Sequence, residues 1–349
     1  MGKNIEDGVD AGVSGGLMST GSVNGALAGL PVTGRFAPTP SGRMHLGNVY
    51  SSLLAWLSAR ARGGRLLLRI EDLDPRTQSG DWTALLLEDL HWLGLEWDGE
   101  PVYQHDRIDL YRDALAQLEG QGLIYPCFCT RAELHAASAP HASDGTPVYA
   151  GTCRGLSADA VARRAAVRPP AMRLRVPGAG EPGDVVTFTD RTYGPQHEKL
   201  ARECGDFLVR RSDGVFAYQL AVVVDDATMG VTEVVRGRDL LSSAARQIYL
   251  QRLLGYEALV YAHVPLLVAP EGRRLSKRDR DLDMEGLRER FGTPARLLGW
   301  LANRAGLTPC DEPQTAEQLL ERFTWDAVRA HRDDIVVDAV WARRPYRSP

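Results

Sequence analysis

The sequence predicts an α/β protein with a doubly wound parallel sheet, a small inserted subdomain and a helical carboxyl-terminal region. Short apolar runs alternate with amphipathic stretches from Gly34 onward, which is typical of strand-helix-strand units around a parallel sheet. Between residues 127 and 204 the alternation gives way to a stretch rich in proline and glycine, and afterwards it resumes. A chain of 349 residues has room for about two or three domains, which agrees with this division.

The chain divides into six predicted segments. Residues 1–33 have almost no aromatic side chains and bury too little apolar surface to order themselves, so we expect a disordered tail. The other segments are a first half of the sheet domain at 34–126, an insertion at 127–204, a second half at 205–283, a helical region at 284–342 and a second disordered tail at 343–349.

Periodicity places the individual strands and helices. Short apolar runs bounded by turn residues predict buried strands at residues 35–38, 66–70, 220–224, 231–235 and 264–268. Apolar residues that recur at helical spacing predict helices at residues 46–57, 81–93, 107–119 and 240–254. The insertion should contain turns and short strands rather than long helices.

Composition excludes several classes of protein. The hydrophobic fraction of 44% and the charged fraction of 25%, without an apolar run near the roughly 18 residues of a spanning helix, indicate a globular protein with no membrane role. The amino-terminal segment lacks the basic start and the continuous apolar stretch of a signal peptide, so we expect a cytoplasmic protein. Five cysteines are too few for a disulfide scaffold in a chain of this length.

The net charge of -4 argues against a general nucleic-acid binder, but the charge is uneven along the chain. One stretch of the insertion has a single acidic residue, Asp159, among the arginines Arg154, Arg163, Arg164, Arg168, Arg173 and Arg175. A basic binding surface is one interpretation of this stretch, and a solvated surface with arginines in loops is the other.

The strongest local signal is the loop of residues 38–48, which lies between a predicted strand and a predicted helix. Gly42 and Gly47 would let the backbone approach a ligand closely, and His45 can donate to phosphate oxygens beside the free N–H groups of the helix terminus. These features suit a phosphate site, although an ordinary capped turn would look similar.

A second signal is the basic segment of residues 272–278, which follows the last predicted strand. Lys277 can neutralise charge on a transferring phosphate, Ser276 can donate to its oxygens, and Gly272 permits movement over a bound nucleotide. Taken alone, this segment is more typical of a basic surface turn.

Together the two segments resemble the two signature motifs of class I aminoacyl-tRNA synthetases. His45-Leu-Gly-Asn48 matches the first motif, and Arg274-Leu-Ser-Lys-Arg278 matches the second, with arginine in place of the usual leading lysine. The resemblance is most specific to the glutamyl and glutaminyl branch, because its other hallmarks occur in order at residues 35–42, 69–76, 93–98, 218, 223–226, 229–232 and 236–239. It implies a Rossmann-like domain that binds ATP at the strand carboxyl ends, with an insertion of the type that contacts the tRNA acceptor end.

The resemblance also implies roles for individual residues. Arg35, Tyr218 and Arg236 match positions that contact carboxylate, and Glu71 matches the position that holds the ammonium group. The full set expected to bind glutamate is Arg35, Phe36, Ala37, Pro38, Thr39, Ser41, Glu71, Tyr218 and Arg236. The alternative for Arg35, Glu71 and Arg236 is an internal salt-bridge network, and Asp72, Asp74 and Asp225 would either orient these groups or cap turns.

The catalytic candidates are His45, Asn48, Ser276 and Lys277, and the residues expected to contact ATP are His45, Gly47 and Lys277. No protein nucleophile is needed, since the glutamate carboxylate attacks the α-phosphorus of ATP, and Mg²⁺ is expected to bridge the phosphates. The enzyme would contribute alignment and neutralisation of charge.

A zinc site is the next feature that the resemblance implies. Cys127, Cys129, Tyr149 and Cys153 match its pattern, and thiolates are soft ligands that suit one Zn²⁺ per chain. The two halves of the pattern lie far apart, so a histidine between them, His135 or His141, is an alternative to Tyr149. Buried thiols without metal are a further alternative, and we expect Cys204 and Cys310 to be core residues.

The short remainder after Arg278, and the absence of histidine after Asp239, resemble a truncated paralogue of glutamyl-tRNA synthetases without an anticodon-binding region. This implies ATP-dependent activation of L-glutamate and its transfer to queuosine, a modified base in the anticodon loop of tRNA(Asp), by a monomer. The alternative within the family is a short enzyme that charges the 3′ end of tRNA(Glu). A module that only binds tRNA, and a nucleotidyltransferase with a small-molecule product, are the alternatives from other classes.

Overall fold

A computed structural model describes residues 32–78, 80–136, 148–273, 275 and 282–337. The strands are β1 (Thr33–Phe36), β2 (Arg65–Ile70), β3 (Val102–Tyr103), β4 (Ile124–Cys127), β5 (Ala171–Leu174), β6 (Val185–Asp190), β7 (Gly194–Lys199), β8 (Phe207–Arg210), β9 (Glu233–Gly237), β10 (Val260–Val264), β11 (Leu267–Val268) and β12 (Ile335–Val336). The helices are α1 (Leu46–Arg60), α2 (Gly80–Leu93), α3 (Ile108–Gly120), α4 (Arg131–Ala136), α5 (Ala158–Ala165), α6 (Tyr218–Thr228), α7 (Leu241–Leu254), α8 (Met284–Phe291), α9 (Pro294–Arg304), α10 (Ala316–Leu320) and α11 (Trp325–Ala330).

The central sheet is parallel, as the alternating pattern predicts. β1, β2 and β3 pair in parallel on one side, and β9, β10 and β6 pair in parallel on the other. β9 lies beside β1, where the Thr232 N–H donates to the Thr33 carbonyl at 2.9 Å. Helices connect the parallel strands, so the doubly wound fold is confirmed.

The start of the fold depends on close backbone packing around Gly64. α1 ends at Arg60, and a Cβ atom at Gly64 would lie 2.3 Å from the Val32 carbonyl oxygen. Only glycine permits that approach. Val32 is buried and β1 begins at Thr33, so the fold extends two residues into the segment predicted as a tail. The other residues of both predicted tails lie outside the described part of the chain.

The strand predicted at residues 220–224 is wrong, because these residues belong to helix α6. All five are buried, and α6 packs against α3 and α7. A helix that is covered on several sides shows no amphipathic period, so a short run of valines cannot be distinguished from a buried strand. The strand predicted at 264–268 is divided at Pro265, which has no N–H to donate: β10 ends at Val264 and β11 begins at Leu267.

The insertion consists mainly of short strands, as its composition predicts. β4, β5 and β8 form an antiparallel sheet, and the hairpin of β6 and β7 joins the edge of the central sheet through β10. This pairing begins at Ile124 and ends at Arg210, so it crosses both predicted limits of the insertion.

The carboxyl-terminal helices share a hydrophobic core with the first half of the sheet. α10 packs on α1, and the Trp325 indole N–H donates to the Ser58 hydroxyl at 3.1 Å. β12 adds a parallel strand to β11. None of the described helices is long and apolar enough to span a membrane.

Candidate active site and cysteine cluster

A cavity of about 450 Å³ opens at the carboxyl ends of β1 and β9. Its walls come from the loop after β1, the start of α1, the start of α6 and the segment between β10 and β11. All nine residues predicted to bind glutamate line it, namely Arg35, Phe36, Ala37, Pro38, Thr39, Ser41, Glu71, Tyr218 and Arg236. His45, Gly47 and Asn48 line the same cavity, so the fold brings these three residues together with the predicted glutamate site.

One part of the cavity wall is the amino terminus of α1. His45 caps this helix: its Nδ1 accepts the Gly47 N–H at 3.2 Å, and its own N–H donates to the Asn48 side-chain oxygen at 3.1 Å. Because Nδ1 accepts, the proton of a neutral His45 lies on Nε2. A Cβ atom at Gly47 would lie 3.1 Å from the imidazole, so glycine keeps the ring in this orientation. The result is a ring donor beside a positive helix terminus.

The opposite end of the cavity has two arginines and a tyrosine. The Arg35 guanidinium donates to the Val235 carbonyl at 3.1 Å and lies 3.4 Å from Asp226. Arg236 donates to the Tyr218 hydroxyl at 3.3 Å. Two buried cations near a hydroxyl that is partly exposed suit a ligand with carboxylate groups.

A buried ion network supports this end of the cavity. Arg69 is completely buried and lies 3.0 Å from Glu71, 2.6 Å from Asp226 and 3.7 Å from Asp225. Burial raises the pKa of Glu71 above its ordinary value, although Arg69 acts against this shift. Burial also disfavours the charged form of Asp226, but Arg69 and Arg35 outweigh it and hold the Asp226 pKa below its ordinary value.

The internal salt-bridge alternative therefore describes part of the site. Arg35 and Glu71 both have ionic partners within the protein while they also line the cavity. Arg236 differs, because the hydrogen bonds from its guanidinium go to the neutral groups of His263, Gln247, Tyr218 and the Leu240 carbonyl. Ion pairs thus fix Arg35 and Glu71, whereas hydrogen bonds to neutral groups fix Arg236.

The sequence left two possible roles for Asp72, Asp74 and Asp225, and none of these aspartates lines the cavity. Asp74 caps a short 3₁₀ turn by accepting the Arg76 N–H at 3.1 Å, and Asp72 accepts the His105 N–H at 3.0 Å. Asp225 accepts from Gln104 at 2.8 Å and from Arg107 at 2.6 Å, and it lies beside Arg69. Asp74 therefore caps a turn, and Asp225 supports Arg69.

Ser276 and Lys277 lie outside the described residues, as do Arg274 and Arg278. Leu275 is described, and it lines the cavity near Leu267, whose carbonyl accepts the Leu275 N–H at 3.2 Å. Leu275 is therefore the residue of the second motif that the structure places in the cavity wall.

Several residues that shape the site had no role predicted from the sequence, although Arg69 and Asp226 lie in matched motifs. Arg69, Asp226 and His263 are charged or polar residues within apolar runs, and that contrast is the signal that would have marked them. Arg43, Asp239 and Leu266 also line the cavity. Arg43 and Leu266 lie in loops and Asp239 lies in a single 3₁₀ turn, where no periodicity distinguishes them.

Three of the four predicted metal ligands form a compact cluster. The sulfur atoms of Cys127, Cys129 and Cys153 all lie within 4.8 Å of one another. The Cys129 and Cys153 sulfurs are 3.7 Å apart. A tetrahedral Zn²⁺ with Zn–S bonds of about 2.3 Å separates its sulfur ligands by roughly 3.8 Å, so this geometry fits the ion.

Tyr149, the fourth predicted ligand, lies beside the cluster. Its hydroxyl lies 3.5 Å from the Cys127 sulfur and 3.7 Å from the Cys129 sulfur. The side chain of His135, and His141, lie outside the described residues. None of the five cysteines forms a disulfide; Cys204 is buried as expected, whereas Cys310 is only half-buried.

Comparison with known proteins agrees with this geometry. The family model described as "tRNA synthetases class I (E and Q), catalytic domain" matches residues 31–335. The glutamyl-Q tRNA(Asp) synthetase of Symbiobacterium thermophilum is 46% identical over 88% of this chain and 96% of its own length. The enzyme of that name from Deinococcus radiodurans is 46% identical over 87% of this chain and 99% of its own length.

Solved structures support the same relationship. The glutamate-tRNA synthetase of Elizabethkingia anophelis superposes with a TM-score of 0.74 at 27% identity, over 90% of this chain and 69% of that one. A glutamate tRNA ligase from Elizabethkingia meningosepticum, in complex with its amino acid, gives a TM-score of 0.73 at 26% identity, over 90% and 68%. The resemblance of the two signature motifs is thereby confirmed, and the chain belongs to the class I tRNA synthetases of the E and Q type.

Proposed function

We propose that this protein uses ATP to activate L-glutamate as glutamyl-adenylate and then transfers the glutamate to queuosine in tRNA(Asp). The observation that carries the proposal is one cavity that is lined both by the amino terminus of α1 and by the buried Arg35 and Arg236. The names of relatives up to 49% identical to this chain support the acceptor. The protein is a ligase.

In the activation step, a carboxylate oxygen of glutamate attacks the α-phosphorus of ATP. The bond from this phosphorus to the oxygen that bridges it to the β-phosphorus breaks, and pyrophosphate leaves with the electron pair. His45 Nε2–H and the N–H groups of α1 stabilise the charge that develops on the phosphates. Ser276 and Lys277 are proposed to assist them, and Mg²⁺, when bound, supplies further neutralisation.

Recognition of glutamate uses charges of both signs. Arg236 and Arg35, with the Tyr218 hydroxyl, hold carboxylate oxygens, while Glu71 holds the ammonium group. An ammonium ion beside Glu71 would favour its ionised form, which offsets the effect of burial on its pKa. Phe36, Ala37, Pro38, Thr39 and Ser41 form the wall of the cavity between the two ends.

Contact with tRNA is assigned to exposed arginines of the insertion. Arg163 and Arg164 lie on α5 and are exposed, and Arg168 follows them. Two other arginines of the basic stretch have structural roles: Arg154 donates to Asp206 at 2.8 Å, and the buried Arg173 donates to the Asp206 carbonyl at 2.8 Å. The basic surface is thus smaller than the sequence predicts. ATP and tRNA as substrates place the proposed activity in the cytoplasm, and a monomer stays a prediction.

Glutamate should support pyrophosphate exchange at least about a hundredfold better than glutamine, because a neutral amide would leave a buried guanidinium without its anionic partner. The measurement is exchange with glutamate, glutamine and aspartate, with and without tRNA. Arg236→Gln should reduce the preference for glutamate over glutamine. Arg210→Gln, which replaces an exposed arginine at the end of β8, should preserve it. Equal exchange rates for glutamine and glutamate would contradict the proposed pocket.

Purified protein should contain one zinc per chain, held by Cys127, Cys129, Cys153 and Tyr149. The ion would fasten β4 to the segment that contains Cys153, so its loss should also lower thermal stability. Elemental analysis after metal-replete expression measures the content. Cys127→Ser should lose the metal and Cys310→Ser should retain it, because Cys310 is not part of the cluster. Stoichiometric zinc in Tyr149→Phe with unchanged affinity would exclude tyrosine as the fourth ligand.

A further inference from the structure

A completely buried histidine that does not line the cavity contacts Arg236, the arginine proposed to bind carboxylate. His263 lies on β10, and its Nε2 is 3.0 Å from the Nε of Arg236. Its Nδ1 is 2.7 Å from a carboxylate oxygen of Asp190 at the end of β6. Asp190, His263 and Arg236 therefore form a line from the hairpin of the insertion to the cavity.

The geometry of this line determines the proton on the ring. Arg236 Nε carries a hydrogen that it can only donate, so His263 Nε2 must accept. The Asp190 carboxylate accepts, so His263 Nδ1 carries the proton. A second proton on Nε2 would oppose the Arg236 N–H. In agreement, burial lowers the pKa of His263 to about 4, and Arg236 adds to this shift while Asp190 opposes it.

A neutral acceptor has a consequence for the charge of Arg236. Arg35 shares its charge with Asp226, at 3.4 Å, and Arg69 has carboxylate neighbours on several sides. Arg236 is oriented instead by the imidazole of His263 and by the side-chain oxygen of Gln247, at 2.8 Å. Neither group is charged, so the guanidinium forms no hydrogen-bonded ion pair with them, and Asp226 acts on it only through its electrostatic field.

Asp190 connects His263 to the turn of the β6–β7 hairpin. Its other carboxylate oxygen accepts the Thr192 N–H at 3.0 Å and the Tyr193 N–H at 2.9 Å, which fixes the turn of the β6–β7 hairpin. The His263 N–H also donates to Asp190, at 3.0 Å. The charged groups that face His263 among the described residues are Asp190 and Arg236, and the Tyr261 ring stacks at 6.2 Å.

We propose that His263 is a positioning residue that fixes Arg236 through a neutral acceptor, so that Arg236 keeps its full charge for the carboxylate by which the enzyme selects glutamate. This inference rests on the proposed function, because it assigns Arg236 to the substrate. It adds a residue that does not contact the substrate, and it links the insertion hairpin to amino-acid selection through Asp190.

Two substitutions of His263 test the contributions of its two ring nitrogens separately. His263→Asn places an amide where Nδ1 lies, so it keeps a donor for Asp190 and removes the acceptor for Arg236. His263→Gln reaches further and can present its oxygen to Arg236. We expect His263→Asn to raise the KM for glutamate about tenfold and to weaken the preference over glutamine, since a hydrogen bond to a charged group is lost. His263→Gln should stay within about twofold of the wild-type KM.

The KM for ATP distinguishes positioning from a general structural role. Both variants should leave it within about twofold of the wild-type value, because His263 faces the amino-acid end of the cavity. An unchanged KM for glutamate in His263→Asn would overturn the proposal. A parallel rise of both KM values in both variants, with a lower melting temperature, would also overturn it.

A spectroscopic measurement decides the proton state without relying on activity. Nitrogen-15 chemical shifts of histidine-labelled protein, with His263→Asn to assign the signal, should show a neutral ring protonated on Nδ1 from pH 7 down to pH 5. An Nε2-protonated ring or an imidazolium in that range would overturn the proposal. If wild-type protein shows no exchange with glutamate, the proposed function fails, while this spectrum still tests the contact between His263 and Arg236.

Discussion

Replacement of Lys277 by alanine should lower glutamate-dependent pyrophosphate exchange by about a hundredfold or more, because one preorganised group that stabilises transition-state charge is removed. The prediction depends on the match of residues 274–278 to the second signature motif and on the place of Leu275 in the cavity wall. Binding of glutamate should change little, since its proposed contacts lie at the other end of the cavity. The effect should therefore appear in kcat more than in the KM for glutamate.

The chain offers a matched control for this experiment. Lysine occurs only at Lys3, Lys199 and Lys277, and Lys199 is an exposed residue at the end of β7. Lys199→Ala should exchange at the wild-type rate, and the melting temperature should be the same for both variants. Full exchange activity in a folded Lys277→Ala enzyme would refute the catalytic role assigned to that lysine.

Much of the candidate site could be predicted because its residues lie in short, ordered motifs. The loop after β1 contributes its contacts from adjacent positions, so Arg35 to Asn48 could be assigned together. The cap of α1 is equally local, since His45, Gly47 and Asn48 interact within a single turn. Local geometry of this kind is determined by the sequence of a few residues.

The supporting network could not be predicted, because it joins residues that are distant in the chain. Arg69 and Asp226 are separated by 157 positions, and the two motifs that contain them do not indicate that their side chains form an ion pair. The run of residues 220–224 illustrates the same limit. These residues are apolar because α6 is covered by other helices, so their spacing does not indicate a helix.

The arginines of the insertion show a related limit. Six arginines in a short stretch suggest one basic surface, yet Arg154 and Arg173 are directed inward to Asp206. Arg173 also lies over the Tyr149 ring at 3.9 Å and donates to the Cys127 sulfur at 3.3 Å. Charge in a sequence does not distinguish an arginine that binds a partner from one that fixes a loop.

Transfer of labelled glutamate should occur to tRNA(Asp) that contains queuosine and to no other tRNA tested. The expectation follows from the shared family, from the names of the relatives and from the glutamate-type cavity. An unpaired, modified base in a loop can enter a cavity that a base in a duplex cannot reach. Arg163 and Arg164 would hold phosphates beside it, so the transfer should weaken as salt rises.

The substrates for comparison are tRNA(Asp) with queuosine, tRNA(Asp) without it, and tRNA(Glu). Enzymatic removal of the 3′ adenosine is the control for the site of attachment. Periodate is less suitable for this purpose, because it also attacks the cis-diol of queuosine.

The most direct test of the central claim is therefore the amount of labelled glutamate on each tRNA before and after the 3′ adenosine is removed. The proposed function predicts label on queuosine-containing tRNA(Asp) alone, unchanged by loss of the 3′ adenosine. Label on tRNA(Glu) that disappears with its 3′ adenosine would contradict the claim and would identify the protein as an enzyme that charges the acceptor end.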